Sequence, residues 1–245
     1  MAPSSDDPDL ILPPVFSLVV TAGPESAFDE ACDAAASGDA TGGLVWRRSA
    51  ELLDFAVILG PDEPLATARR AFFAGMVALA EAIGAHGPPE IPVTFDWPDT
   101  IRFDGTRLGG GRLGWPSTCG EDEVPDWLVF SATIIASKAR AGDPGLTPDS
   151  TSLENEGFAL EDANGAIVES FARHLMKAFA VWDENWFTGI EQRYLQRLAD
   201  GGPSARIGRI DTNGDFLADG GRRHPLMAVL TGVAWRDPIT GEPRL

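Results

Sequence analysis

Three glycines in a row, Gly109, Gly110 and Gly111, stand where the surrounding residues spell a β-strand, and Arg112 follows them at once. Glycine inside a strand has no side chain to pack and gives up more backbone freedom on folding than any other residue. A run of it implies that something comes very close to the backbone. Upstream, Asp104-Gly105 has the chemistry of a tight turn, so residues 95–115 (FDWPDTIRFDGTRLGGGRLGW) are predicted as strand, turn and strand. Alternation puts Arg112 on the same side as Gly110. A guanidinium taken into a protein needs an anionic or hydrogen-bonding partner. Two kinds answer: a bound anion, or an internal carboxylate, for which Asp96 and Asp99 are nearest in sequence.

The rest of the chain reads as a mixture of strands and helices. VFSLVV opens with a β-rich run, and SAFDEACDAAAS has Ser26 as N-cap with Phe28, Ala31, Cys32 and Ala35 on one helical face. GLVWRRS and ELLDFAVILGP read as two strands joined near Ser49-Ala50. Residues 64–84 place Leu65, Ala68, Phe72, Met76, Leu79 and Ile83 at helical spacing, which predicts a single amphipathic helix. Another strand covers 127–137, and 140–164 is a long polar connection. A helix then starts near Ala166, breaks between Trp186 and Gly189, and resumes through Ile190, Tyr194 and Leu198. This order predicts an α+β fold: a mostly antiparallel mixed sheet packed with helices, plus a small C-terminal β element with a hairpin at Asn213-Gly214. The expected division is 1–14 as a flexible acidic leader, 15–200 as the main domain and 201–245 as the C-terminal β element and tail, with Gly201-Gly202-Pro203 at the boundary.

Charge narrows the partners. With 19 basic and 37 acidic residues the formal net charge is −18, a surface that repels nucleic-acid phosphates and anionic lipids. The first residues lack a basic and then apolar leader and no run has membrane-spanning length, so the protein is expected in the cytoplasm. Cys32 and Cys119 lie far apart with no CxxC and no histidine beside either, so no metal site is predicted.

The hairpin resembles a motif of the biotin and lipoate protein ligase family, in which a Lys-Trp-Pro-Asn-Asp strand turns back into a Lys-x-x-Gly strand. Trp97 and Pro98 fall on the family's Trp and Pro, Asp99 on its Asn, and Gly110 on the Gly of Lys-x-x-Gly. The order of elements from about residue 15 to about 220 agrees. The resemblance implies a class II synthetase-like fold. It also implies a slot for a small carboxylic acid such as biotin, lipoate or octanoate, activation by ATP and magnesium as an acyl-adenylate, and transfer to a lysine of a biotinyl or lipoyl carrier domain. On these grounds Arg107 is the expected catalytic residue, with Trp97, Asp99, Gly109, Gly110, Gly111 and Arg112 expected to bind substrate.

Several positions depart from the family's pattern. Arg107 stands in place of the family's lysine; it keeps the charge but not the compact ammonium. Asp96 replaces the lysine before Trp-Pro, Thr100 replaces the Asp, and the Gly-Arg-Gly-Arg adenylate loop is missing between the first helix and Trp46-Arg47-Arg48. Three alternatives remain open at this level: an acyl-adenylate ligase, a non-catalytic small-anion binder on the same scaffold, and an ATP-independent acyltransferase using Cys119. Three acids follow that cysteine closely and oppose a thiolate.

Overall fold

A computed structural model describes residues 10–142, 146–199, 208–232 and 235–245. The expected boundary at Gly201-Gly202-Pro203 and most of the leader lie outside these residues. In chain order the main domain contains β1 (Ser17–Thr21), α1 (Ala27–Ser37), β2 (Gly43–Arg47), β3 (Leu52–Leu59), α2 (Leu65–Ala68), α3 (Ala71–His86), β4 (Val93–Asp96), β5 (Thr100–Phe103), β6 (Thr106–Gly114), β7 (Leu128–Ile135) and α4 (Leu160–Leu195). The C-terminal part contains β8 (Gly208–Ile210), β9 (Phe216–Ala218), β10 (Arg223–His224) and α5 (Leu226–Leu230).

Seven strands form one mixed sheet in the order β1-β2-β3-β7-β6-β5-β4, with β1 and β2 parallel and every other pair antiparallel. The remaining three make a small antiparallel sheet. The large sheet is covered on both sides, so β7 is apolar almost throughout. On one face Phe55, Phe130 and Ile134 meet α3 and α4 in the main core. On the other, Val45, Ala56, Ile58 and Val129 meet Ala27, Ala31 and Ala35 of α1. Ser26 caps α1 as expected, its Oγ accepting from Asp29 N at 3.2 Å.

The helices differ from the sequence reading in two respects. Residues 64–84 are not one amphipathic helix: α2 and α3 are separated at Arg69-Arg70, and α3 is buried on nearly every side because it lies between the sheet and α4. The second long helix begins at Leu160 rather than near Ala166, and its break falls on Trp186, whose φ of 57° and ψ of −171° are not helical. Trp186 is 80% exposed.

Gly75 sets the distance between α3 and β7. A Cβ there would lie 2.4 Å from the ring of Phe130, which is fully buried and stacked on Phe171 at 5.7 Å. Gly75→Ala gains about 1 kcal/mol of helix propensity against an overpacking cost of about 1–3 kcal/mol. A net loss of about 1 kcal/mol is expected by chemical denaturation; a stabilised variant would show that the ring can yield.

Candidate functional site

Each glycine of β6 has a different neighbour. A Cβ at Gly111 would lie 2.6 Å from the sulfur of Met76, so this glycine admits α3 to the sheet. At Gly109 a Cβ would lie 2.2 Å from the Thr133 carbonyl oxygen, against the backbone of β7. Only Gly110 opens on the opposite face, where a Cβ would be 2.4 Å from the indole of Trp235. The glycine floor expected from all three residues therefore reduces to Gly110.

Arg107 reaches that same face through an irregularity in the strand. Opposite it on β5, Arg102 pairs with Arg107, yet the next residue, Ile101, pairs with Gly109, so Leu108 is one residue extra. The bulge lets positions 107 and 110 look the same way although they are three apart. Nε and a terminal nitrogen of Arg107 donate to the carbonyl oxygen of Arg244 at 3.3 and 3.0 Å. Burial lowers the Arg107 pKa, and Arg102 adds to the effect.

Arg112 lies on this face as its alternation with Gly110 requires, and neither suspected internal partner takes it. Asp96 Oδ2 accepts from Arg102 Nε at 2.7 Å, and Asp99 Oδ1 accepts from Thr100 Oγ1 at 3.2 Å. Among the described residues no carboxylate pairs with Arg112; its guanidinium lies 3.7 Å from the centroid of the Phe28 ring instead. Burial pushes the Arg112 pKa down to about 10, with Arg236 contributing and Asp29, Cys32 and Asp54 opposing. Arg112 stays charged at neutral pH.

Beside Arg112 opens a cleft of about 600 Å³. Asp29 from α1 forms one side, and Arg236 and Arg244 from the C-terminal segment form the other. Three guanidinium groups thus line one cleft of a strongly acidic protein. Its wall is fixed by Asp54, a carboxylate only 1% exposed. Asp54 accepts from Arg47 Nε at 2.7 Å, Ala27 N at 3.1 Å and Thr133 Oγ1 at 3.2 Å. One acid thereby ties β2, β3, β7 and the start of α1 together, which gives Arg47 a structural role here.

Asp99 Oδ2, Ser131 Oγ and Trp235 Nε1 are buried near the cleft without a well-formed hydrogen bond. The indole N–H is nevertheless close enough to Asp99 to favour its ionised form, although burial prevails and raises that carboxyl to about 7. Ser131 pairs with Arg112 across β6 and β7. Buried polar groups left in this state ordinarily mark a functional role or a reservoir of strain.

The structure does not bring Trp97 to the cleft. Its ring stacks on Phe73 at 5.6 Å, tilts against Phe216 at 5.4 Å and meets Tyr194 at 5.9 Å, so it docks the small sheet on the main core. The Trp97-Pro98 peptide is cis, and Tyr194 OH donates to the Pro98 carbonyl at 2.7 Å. Cys119 is no activated nucleophile: desolvation raises its pKa, with Glu123 and Asp126 adding to the rise. Among the described residues, no group of three His, Cys, Asp or Glu side chains is arranged to hold a metal, and no helix is long and apolar enough to cross a membrane.

Sequence reasoning missed Asp54, Ser131, Trp235, Arg236 and Arg244. An acid inside the apolar run LLDFAVIL was a signal for Asp54. The C-terminal residues gave none, because their contact with β6 spans more than a hundred positions, as the separation of 137 between Arg107 and Arg244 shows.

Residues 12–196 match the profile of the biotin/lipoate A/B protein ligase family. A biotin–[acetyl-CoA-carboxylase] ligase of Paracoccus denitrificans is 27% identical over 193 residues, covering 75% of each chain. A biotin protein ligase-like protein of unknown function from Silicibacter sp. TM1040 superposes with a TM-score of 0.77 at 29% identity, over 90% of this chain and 98% of its own. The apo biotin protein ligase of Aquifex aeolicus shares the fold with a TM-score of 0.61 at 12% identity, over 85% and 95% of the two chains. The same enzyme in complex with biotin and ATP gives 0.56 at 13% identity, over 84% and 94%.

Proposed function

Because the chain belongs to the biotin/lipoate A/B protein ligase family, we propose that it binds a small carboxylic acid of the biotin type on the Gly110 face of β6 and activates it with ATP. The observation that carries this reading is Arg112, a largely buried guanidinium with no carboxylate partner among the described residues, facing a cleft of about 600 Å³. Its fixed charge suits a carboxylate, which an arginine can grip through two parallel hydrogen bonds.

In the proposed reaction a carboxylate oxygen of the acid attacks the α-phosphorus of ATP and pyrophosphate leaves. A carrier lysine then attacks the acyl carbon and AMP departs. Arg112 orients the carboxylate, and Arg107, on the same face, faces the charge that gathers on the phosphoryl oxygens. Magnesium usually arrives on the nucleotide's phosphates with few protein ligands, and Asp29 and Asp237 are the carboxylates that line the cleft.

A second reading, binding without turnover, is favoured by one observation: Arg107 stands where the family has its lysine, and its donors are engaged by Arg244. A thermal-shift screen against biotin, lipoate, octanoate and magnesium-ATP, singly and in pairs, separates the two when combined with a pyrophosphate-release assay. A ligand at a hundred times its dissociation constant adds about 2.7 kcal/mol, a rise of about 5–10 °C for a chain of this size. Stabilisation by an acid together with ATP, with pyrophosphate released, is the expected result. Stabilisation by an acid alone selects the binder, and none by any acid removes both.

A further inference from the structure

The last described residues form a hairpin of their own. Arg244 N donates to the Trp235 carbonyl and Asp237 N to that of Glu242, each at 2.8 Å, and Gly241 N closes the turn on Asp237 O. Asp237 Oδ1 also accepts from Ile239 N and Thr240 N at 2.8 and 3.0 Å, while Arg236 Nε donates to the Gly241 carbonyl. Among the described residues, the hydrogen bonds from this hairpin to the rest of the protein are the two that Arg107 donates to Arg244 O. Trp235, 1% exposed and seated on Gly110, is its second anchor; Pro243 is buried as well.

These two anchors coincide with what an acid would need. An apolar ligand body lying on β6 must sit over Gly110, and there the Trp235 ring lies. A ligand oxygen must take a donor from Arg107, and there the Arg244 carbonyl stands. We propose that the 235–245 hairpin is an internal occupant of the acid slot, held on Gly110 and Arg107 until a ligand displaces it. The inference rests on the acid-binding reading above.

Two features make displacement feasible. The hairpin satisfies most of its polar groups internally, so it can leave as a unit without exposing a ladder of broken bonds. Its seated state is also imperfect: Trp235 Nε1 and Asp99 Oδ2 lack well-formed partners, and Arg236 is held close enough to Arg112 to depress that guanidinium's pKa. An occupant with these defects competes weakly enough for a small ligand to replace it.

The test titrates the full chain and its Trp235→Ala variant with biotin, lipoate and octanoate by calorimetry. Emptying the slot should tighten binding of the preferred acid at least tenfold, with Trp235→Leu falling between. In parallel, the fluorine resonance of Trp235 is followed in unaltered, 5-fluorotryptophan-labelled protein, assigned by its absence in Trp235→Phe. Saturating acid should move it to a solvent-exposed position. If an acid binds while Trp235→Ala leaves affinity unchanged or weaker, or the resonance stays buried, the inference is overturned and acid binding stands. Should no acid bind either protein, both readings fall. If the alanine variant does not fold, the fluorine measurement and Trp235→Leu decide the matter.

Discussion

Arg112→Ala should weaken acid binding by about thirtyfold to several thousandfold while leaving the unliganded protein nearly as stable as before. The first half follows from removing one partner of a desolvated charged pair, which costs about 2–5 kcal/mol of affinity. The second half follows from the surroundings of Arg112 in the free protein. Its visible attachment is to the face of Phe28, 3.7 Å away, worth about 0.5–2 kcal/mol. Truncation also relieves the unfavourable proximity of Arg236. Calorimetric titration and urea denaturation, run on the same two proteins, read the two halves separately. An unliganded loss of about 3–5 kcal/mol would mean that Arg112 is one side of a buried ion pair after all, and retained affinity would remove it from the site.

Asp99 governs the second large effect. Burial raises its carboxyl to about 7, against partial opposition from the Thr100 hydroxyl, its own backbone and the nearby indole of Trp235. The unfolded chain releases that proton near pH 4, so between about 4 and 7 the folded protein holds a proton that the unfolded one has lost. Stability is then greatest below the unfolded pKa. It falls by about 1.4 kcal/mol per pH unit as pH rises toward the folded pKa, and levels off above it. Over the whole window this amounts to about 4 kcal/mol. Asp99→Asn keeps the shape, lacks the proton and restores the residue of the family motif. It should flatten this slope and stabilise the protein by several kcal/mol at pH 8, with little gain at pH 4. Urea melts of both proteins at four or five pH values suffice, and parallel slopes would show that Asp99 is not the group responsible.

The sheet was legible because its strands carry strong apolar runs and its turns carry the residues that turns require. Ser26 at the start of α1 and Asp104-Gly105 between β5 and β6 were placed from chemistry alone. The α2–α3 break was not legible, because a helix buried on all sides shows no polar stripe by which to mark its limits. Within the site, Arg112 could be read from alternation across one strand. The different duties of Gly109, Gly110 and Gly111 could not, since they depend on Thr133, Trp235 and Met76, each from a distant element. Trp97 shows the converse: a residue of the motif hairpin that a family resemblance draws toward substrate packs against Phe73, Tyr194 and Phe216.

The extra residue at Leu108 divides β6 into two stretches of opposite parity. On the Arg107 side odd-numbered positions face the side of the sheet that carries the cleft; from Gly110 onward even-numbered positions do. Any length change inside those few residues would act as a frameshift in space rather than a local disturbance. Losing one residue would keep the strand and its hydrogen bonds, yet turn either Arg107 or the pair Gly110 and Arg112 toward α3. Relatives compared across this strand are therefore matched by phase as well as by letter: a positive residue one place out of step belongs to the other side of the sheet.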